Sequence, residues 1–198
     1  MKDKKLLSFN NNALSEVADL SNLAGFHCND MVVDDHGNAY VGNFGFNTYS
    51  GEEIKPANLI LVRPGEDPCV AADDLLFPNG TVITPDGKTL IVGETYAARL
   101  TAFDINQDAT LSNRRVWADF TLDADEGDIP LPDGMCLDVE GAIWVASPST
   151  AEVIRVREGG VILDRIPVET NAYACMLGGE DLKTLFICTS NASGVDPE

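Results

Sequence analysis

Apolar residues in this chain fall in short runs of four to six, rich in Val, Ile, Leu, Tyr and Trp, separated by polar segments that carry a glycine. Runs of this length, bounded by turn residues, predict β-strands rather than helices. In VITPDGKTLIV two runs flank Pro85-Asp86-Gly87, a hairpin signal: Pro85 presets the turn entry and Gly87 accepts a positive φ at low cost. DDHGNAYVG and DVEGAIWVA repeat the arrangement with other turn residues. Two further strand-like runs follow each hairpin: ANLILVR and DPCVAADDL, ARLTAFDI and RRVWADF, AEVIRVR and VILDRIPV. The one segment with a partial helical pattern, NNNALSEVADLSNL, reads equally well as strand–turn–strand.

The hairpins belong to a longer repeat. CNDMVVDDHGNAYVG, PNGTVITPDGKTLIVG and PDGMCLDVEGAIWVA each carry an amide or acid near the start (Asn29, Asn79, Asp133) and a turn glycine eight residues later (Gly37, Gly87, Gly141). The polar positions lie 50 and 54 residues apart. Four antiparallel strands per unit of this length match the blade of a β-propeller. ACMLGGEDLKTLFICTS is a fourth, partial copy; aligning KTLFI with KTLIV places Ala174 where Asn79 stands. Residues 5–24 read as the outer two strands of a preceding blade. The expectation is an all-β chain, residues 1–198 forming a single partial propeller domain with three complete blades and two incomplete ones.

Composition narrows the function classes. No run approaches 18 apolar residues, which argues against a membrane-spanning helix. The basic N-terminus lacks an apolar stretch of signal-peptide length, making the cytoplasm the expected location. The net charge of −19 leaves no basic patch to neutralise phosphates, which argues against nucleic acid as a partner. Most of the acids read as solvated surface, leaving few as ligands. The five cysteines are odd in number and form no C-x-x-C; Cys136 and Cys188 sit in apolar runs, so reduced, buried thiols are expected. A catalytic thiol would have only His27 or His36 as base.

In a propeller the first strand of each blade lines the central axis. Asn29, Asn79 and Asp133 would then face one another near one mouth, offering two amides and a carboxylate to a hard cation such as Ca²⁺ or Mg²⁺. Asn and Asp also cap turns at strand starts, and residue type alone gives the two readings comparable weight.

The phrases N-D-x-x-x-D-x-x-G (Asn29 to Gly37), N-G-x-x-x-x-P-D-G-K-T-L (Asn79 to Leu90) and P-D-G-M-C-x-D-x-E-G-x-x-W-V-A (Pro132 to Ala146) resemble the senescence-marker-protein/gluconolactonase family, the regucalcin-like lactonases. SNRRVWADF and the terminal GVDPE extend the likeness along nearly the whole chain. The resemblance implies a six-bladed propeller with one axial divalent cation, Ca²⁺ first and Zn²⁺, Mg²⁺ or Mn²⁺ as alternatives. It implies a small, sugar-type lactone as substrate. Asn79 matches a metal ligand, Asp133 a metal ligand that is also the catalytic base, and Asn29 a substrate contact. His27 stands where some members carry a substrate-binding arginine, so it is either a pocket residue or structural.

The family's first ligand, a glutamate in an early blade, has no counterpart in residues 1–26; Glu16 lies in a different context. Relative to the family the chain is truncated at both ends. Two readings follow: a metal-dependent lactonase, or a non-catalytic metal-binding or inactive propeller fragment. The oligomeric state stays open. Glu94 reads as a strand end, Trp117 and Trp144 as blade packing, and the triplets Asn79-Gly-Thr and Asn191-Ala-Ser as glycosylation matches without a secretion signal to support them.

Overall fold

A computed structural model describes residues 2–122 and 129–191; the GVDPE phrase and most of the Asn191 triplet lie outside the described residues. Strands β1 (Lys5–Asn10) and β2 (Ala13–Asp19) form a hairpin, so the ambiguous NNNALSEVADLSNL segment is extended. Three four-stranded antiparallel sheets follow. The first blade contains β3 (Cys28–Val33), β4 (Ala39–Asn43), β5 (Ala57–Val62) and β6 (Cys69–Leu75). The second contains β7 (Pro78–Ile83), β8 (Thr89–Glu94), β9 (Arg99–Ile105) and β10 (Leu111–Asp119), with a 3-10 turn at Thr95–Ala97 between β8 and β9. The third contains β11 (Met135–Leu137), β12 (Ile143–Ser147), β13 (Glu152–Val156) and β14 (Ile162–Pro167). The hairpin of β15 (Asn171–Gly178) and β16 (Thr184–Ser190) closes the described chain. This is the expected set of three complete blades between two half-blades. None of the described helices is long and apolar enough to cross a membrane.

The repeat follows from turn chemistry and side-chain alternation. Gly37, Gly87 and Gly141 all take positive φ, and their N–H groups donate to Asp34 O at 3.0 Å, Thr84 O at 2.8 Å and Asp138 O at 3.1 Å. Successive side chains on a strand point to opposite faces, so each blade feeds two cores. In β8, Leu90 and Val92 pack on the first blade beside Tyr40 and Leu61, whereas Ile91 packs towards the third blade with Ile143 and Ile154. Trp117 is buried between the second and third blades, as its sequence context suggested, and Trp144 packs between the third blade and the β15–β16 hairpin.

Among the described residues the terminal half-blades each have one neighbouring blade, and they expose Phe9, Leu14, Met176 and Phe186. This corrects the expectation for the thiols. Cys28, Cys136 and Cys175 are buried, but Cys69 is half-buried and Cys188 is exposed, β16 having no third strand or further blade against it among the described residues.

The inner strands approach one another closely because small residues face the neighbouring blade. A Cβ on Gly80 would lie 2.2 Å from Asp133 O and 2.9 Å from Met135 N, both backbone atoms. Gly80→Ala must therefore push β7 and β11 apart, and a loss of about 1–3 kcal/mol is expected in urea titrations. Gly87→Ala is the matched control: its Cβ meets open space, and only its positive φ opposes the change.

Candidate functional site

Each inner strand is irregular at its start. The β3–β4 register shifts between Cys28 and Met31, and the β7–β8 register shifts between Pro78 and Thr81. The extra residue twists the strand and re-aims its side chains, as bulges beside active sites do. Asn29 and Asn79 occupy these bulges. Asp133 holds the equivalent place before β11: its N–H donates to Ala146 O at 2.9 Å, and the next N–H, of Gly134, turns to Tyr173 O on the adjacent inner strand at 2.9 Å.

Asn79 is 3% exposed. Its Nδ2 donates to Thr95 Oγ1 at 3.1 Å, and Thr95 Oγ1 donates to Pro132 O at 2.7 Å, tying the second blade's mouth to the residue before Asp133. Asn79 Oδ1 is buried and accepts no hydrogen bond, and Asn29 Nδ2 is buried and donates none. Buried polar atoms without partners are rare, because each forfeits its hydration without recompense.

Burial pushes the Asp133 carboxyl up to about 7; the negative charge of Asp30 adds to the rise, and the Gly134 N–H and Asn79 side chain oppose it. Burial also raises Asp30. Asp30 lies one residue beyond Asn29, where the other two blades carry Gly80 and Gly134. The sequence reading missed it, although N-D against N-G and D-G in the aligned repeats is a visible signal.

The register also corrects the fourth copy. The pairs Val82↔Ile91 and Ile83↔Leu90 correspond to Met176↔Phe186 and Leu177↔Leu185, so the fourth hairpin turn is one residue longer than the second. Counting back from the inner strand instead of the outer one, Tyr173 stands opposite Asn79, and Ala174 matches Gly80. The β15 register shifts between Ala172 and Ala174, as at the other inner strands. Tyr173 Oη accepts from Asn171 Nδ2 at 3.4 Å.

His27 stacks on Phe26 with ring centroids 4.0 Å apart, and its backbone carbonyl accepts the Phe44 N–H at 3.0 Å. Glu16 is remote in chemistry as well as context: it is exposed on β2 and pairs with Lys5 at 2.6 Å. A second repeated polar position, unnoticed in sequence, ends the second strand of each blade: Asn43, Glu94 and Ser147, all fully buried. Their bonds are local. Asn43 Oδ1 accepts from Gly25 and Gly45 N–H at 3.2 and 3.0 Å, and Glu94 binds Arg99, Thr101 and the Leu76 N–H. They shape the mouth rather than face a ligand.

The donor set fits a hard cation. Asn79 Oδ1 is an acceptor with nothing to accept, and the two half-buried carboxylates of Asp30 and Asp133, each raised by burial, would be relieved by positive charge. Among the described residues no three His, Cys, Asp or Glu side chains converge, so the local set is two carboxylates and amides. An open cleft of about 460 Å³, lined by Asp34, His36, Thr84 and Asp86 among others, lies at the turn end of the inner strands, opposite these residues.

A family model described as SMP-30/Gluconolactonase/LRE-like region matches residues 2–191. Regucalcin of Danio rerio is 30% identical over 190 residues, covering 94% of this chain and 61% of its own length. A 6-deoxy-6-sulfogluconolactonase of Pseudomonas putida is 27% identical over 163 residues, covering 82% of this chain and 53% of its own length. The solved structure of a gluconolactonase from Xanthomonas campestris superposes with a TM-score of 0.75 at 25% identity, covering 96% of this chain and 63% of that one. The chain thus spans between half and two thirds of these relatives. With blades, inner-strand bulges and a family match over residues 2–191 in agreement, the chain belongs to the SMP-30/gluconolactonase/LRE-like family.

Proposed function

We propose that the chain carries the hydrolytic face of a lactonase that opens small lactones with the help of one divalent cation. The observation that carries this reading is the pairing of an unpartnered buried acceptor, Asn79 Oδ1, with the destabilised carboxylate of Asp133. Asn79 and Asp133 would hold the cation, with Asp30 adding negative charge nearby. Bound there, a divalent ion supplies Lewis-acid polarisation of the lactone carbonyl. An all-oxygen set favours Ca²⁺, Mg²⁺ or Mn²⁺ over a thiolate-seeking metal.

The remaining chemistry belongs to the chain. Beside a cation Asp133 stays ionised at neutral pH and accepts a proton from the attacking water. The water oxygen bonds to the carbonyl carbon, the ring C–O bond breaks, and the proton returns to the departing alkoxide, giving a hydroxy acid. Asn29 Nδ2, a buried donor without an acceptor, would donate to a substrate oxygen.

The second reading, a metal-binding propeller without turnover, draws on the absence of a third convergent acidic or imidazole side chain among the described residues. Calorimetric titration with Ca²⁺ and Mn²⁺, beside a panel of γ- and δ-lactones with and without chelator, separates the two. Chelator-sensitive hydrolysis is the expected result. Cation binding without turnover establishes the second reading, and neither binding nor turnover overturns both.

A further inference from the structure

At the mouth that carries Asn29 and Asn79, seven rings from four segments converge: Phe26 and His27 before β3, Phe44, Phe46 and Tyr49 between β4 and β5, Phe77 before β7, and Tyr96 after β8. Strand connectivity puts all four segments at the same end as the inner-strand starts. The rings form one contiguous patch. Phe44 stacks on Phe77 at 4.5 Å, Phe77 meets Tyr96 edge-on at 5.2 Å, and Tyr49 lies 6.1–6.4 Å from Phe26, His27 and Phe44. Phe46 is buried beneath the patch, 5.7 Å from Tyr96, whereas five of the seven rings are half-buried and Tyr96 is 41% exposed, so the patch shows ring surface to solvent.

Phe77 lies two residues before Asn79 and holds φ at +59°, in the left-handed region. A bulky side chain rarely adopts this backbone, and such strain gathers at binding sites where the surroundings enforce it. Here the enforcement is explicit: Phe77 O accepts the Thr95 N–H at 3.2 Å and Leu76 O the Tyr96 N–H at 3.3 Å, fixing Phe77 against Tyr96. Thr95 is also the residue that bonds Asn79 Nδ2. The aromatic wall and the candidate ligand Asn79 are thus positioned by one turn. The one ring here with strong hydrogen-bonding nitrogens, His27, lies with its face against Phe26.

We infer that this wall selects lactones bearing an aromatic or flat alkyl substituent over polyhydroxylated sugar lactones. This rests on the lactonase reading and specifies its substrate class. A contiguous apolar surface beside convergent polar groups is what an amphiphilic ligand needs: the lactone carbonyl goes to the polar residues and the substituent to the rings. A polyhydroxylated lactone can offer this wall only a C–H face, since any hydroxyl turned onto the rings loses its hydration without a partner, whereas a phenyl or alkyl substituent carries no such restriction.

The test uses two stable lactams with Ca²⁺ present, a phenyl-substituted δ-valerolactam and a polyhydroxylated δ-lactam, titrated against the protein by calorimetry. The phenyl compound should bind about tenfold tighter or better, and Tyr96→Ala and Phe77→Ala should each remove most of that margin. Tyr96 is 41% exposed, so its truncation should lower the melting temperature less than Phe77→Ala does, which protects the test if Phe77→Ala misfolds. Equal affinities, preference for the hydroxylated lactam, or no binding of either overturns the inference. The matching lactones are assayed in parallel. Lactam discrimination without turnover of any lactone upholds the wall and overturns the lactonase reading; turnover with sugar lactones preferred does the reverse.

Discussion

On the proposed lactonase reading, Asp133→Asn should cut cation-dependent lactone hydrolysis sharply and, without cation, should make the protein more stable at pH 8. A residue that only shaped the mouth would not do both. Loss of the base predicts a fall of roughly 10²–10⁴-fold in turnover, since asparagine keeps the shape and accepts no proton. The stability arm follows from the carboxyl's rise to about 7, caused first by burial and then by Asp30. The folded state favours the protonated form. Its contribution is therefore complete below the ordinary carboxylate value and is lost as pH rises through about 7. Without cation the wild type weakens between about pH 4 and 7, and the asparagine variant, having no charge to bury, escapes that part of the decline. At pH 8 the variant should be ahead by on the order of 1–3 kcal/mol in chemical denaturation, and at pH 4 the two should converge. If Asp133 holds the proposed cation, saturating Ca²⁺ should reverse the order at pH 8, because a ligand stabilises the chain that binds it more tightly. A variant no more stable than wild type at pH 8 would mean that Asp133 is not held in an unfavourable environment.

How much of this was legible in the sequence differs residue by residue. The turn glycines and the period-two alternation in runs such as Leu90-Ile91-Val92 are local signals, and they yielded the blades and the equivalent inner-strand positions of Asn29, Asn79 and Asp133. Asp30 was hidden because the alignment concentrated on the amide before it; that it adds to the field at Asp133 depends on how closely neighbouring inner strands approach. Tyr173 was displaced by one position because the extra residue lies in the turn, so aligning the outer strand shifts the inner one. The aromatic wall was invisible because its rings come from four loops with no common spacing; only the fold gathers them. Glu94 was read correctly as a strand end, but its bonding partners come from β9, the Leu76 backbone and β10.

Glu94→Ala should cost about 3–5 kcal/mol, the largest stability loss expected from any single carboxylate here. The side chain is 0% exposed at the end of β8. Oε1 accepts from Arg99 Nε at 2.8 Å and Thr101 Oγ1 at 2.5 Å and lies 3.4 Å from Arg114 Nη2, while Oε2 accepts the Leu76 N–H at 2.9 Å. Burial alone would push this carboxyl up, but the hydrogen bonds from Arg99, Thr101 and Leu76 outweigh it and hold it below the usual range. Truncation leaves the Thr101 hydroxyl and Leu76 N–H unpaired in a dry place and strips two guanidinium groups of their counter-charge. Both arginines are about a third exposed and can recover water, which sets the expectation nearer the lower end of the range. Glu94→Gln keeps the shape and some hydrogen bonds but loses the charge, and should cost roughly half as much. The pH signature is opposite to that of Asp133. A depressed carboxyl contributes stability above its ordinary value and loses it as pH falls through the lowered one, so the wild-type margin over Glu94→Gln should shrink only in acid, below about pH 4.5. Denaturant midpoints at pH 3, 5 and 8 for both substitutions then distinguish two acids: Glu94, whose charge the fold sustains by itself, and Asp133, whose charge the proposed cation would satisfy.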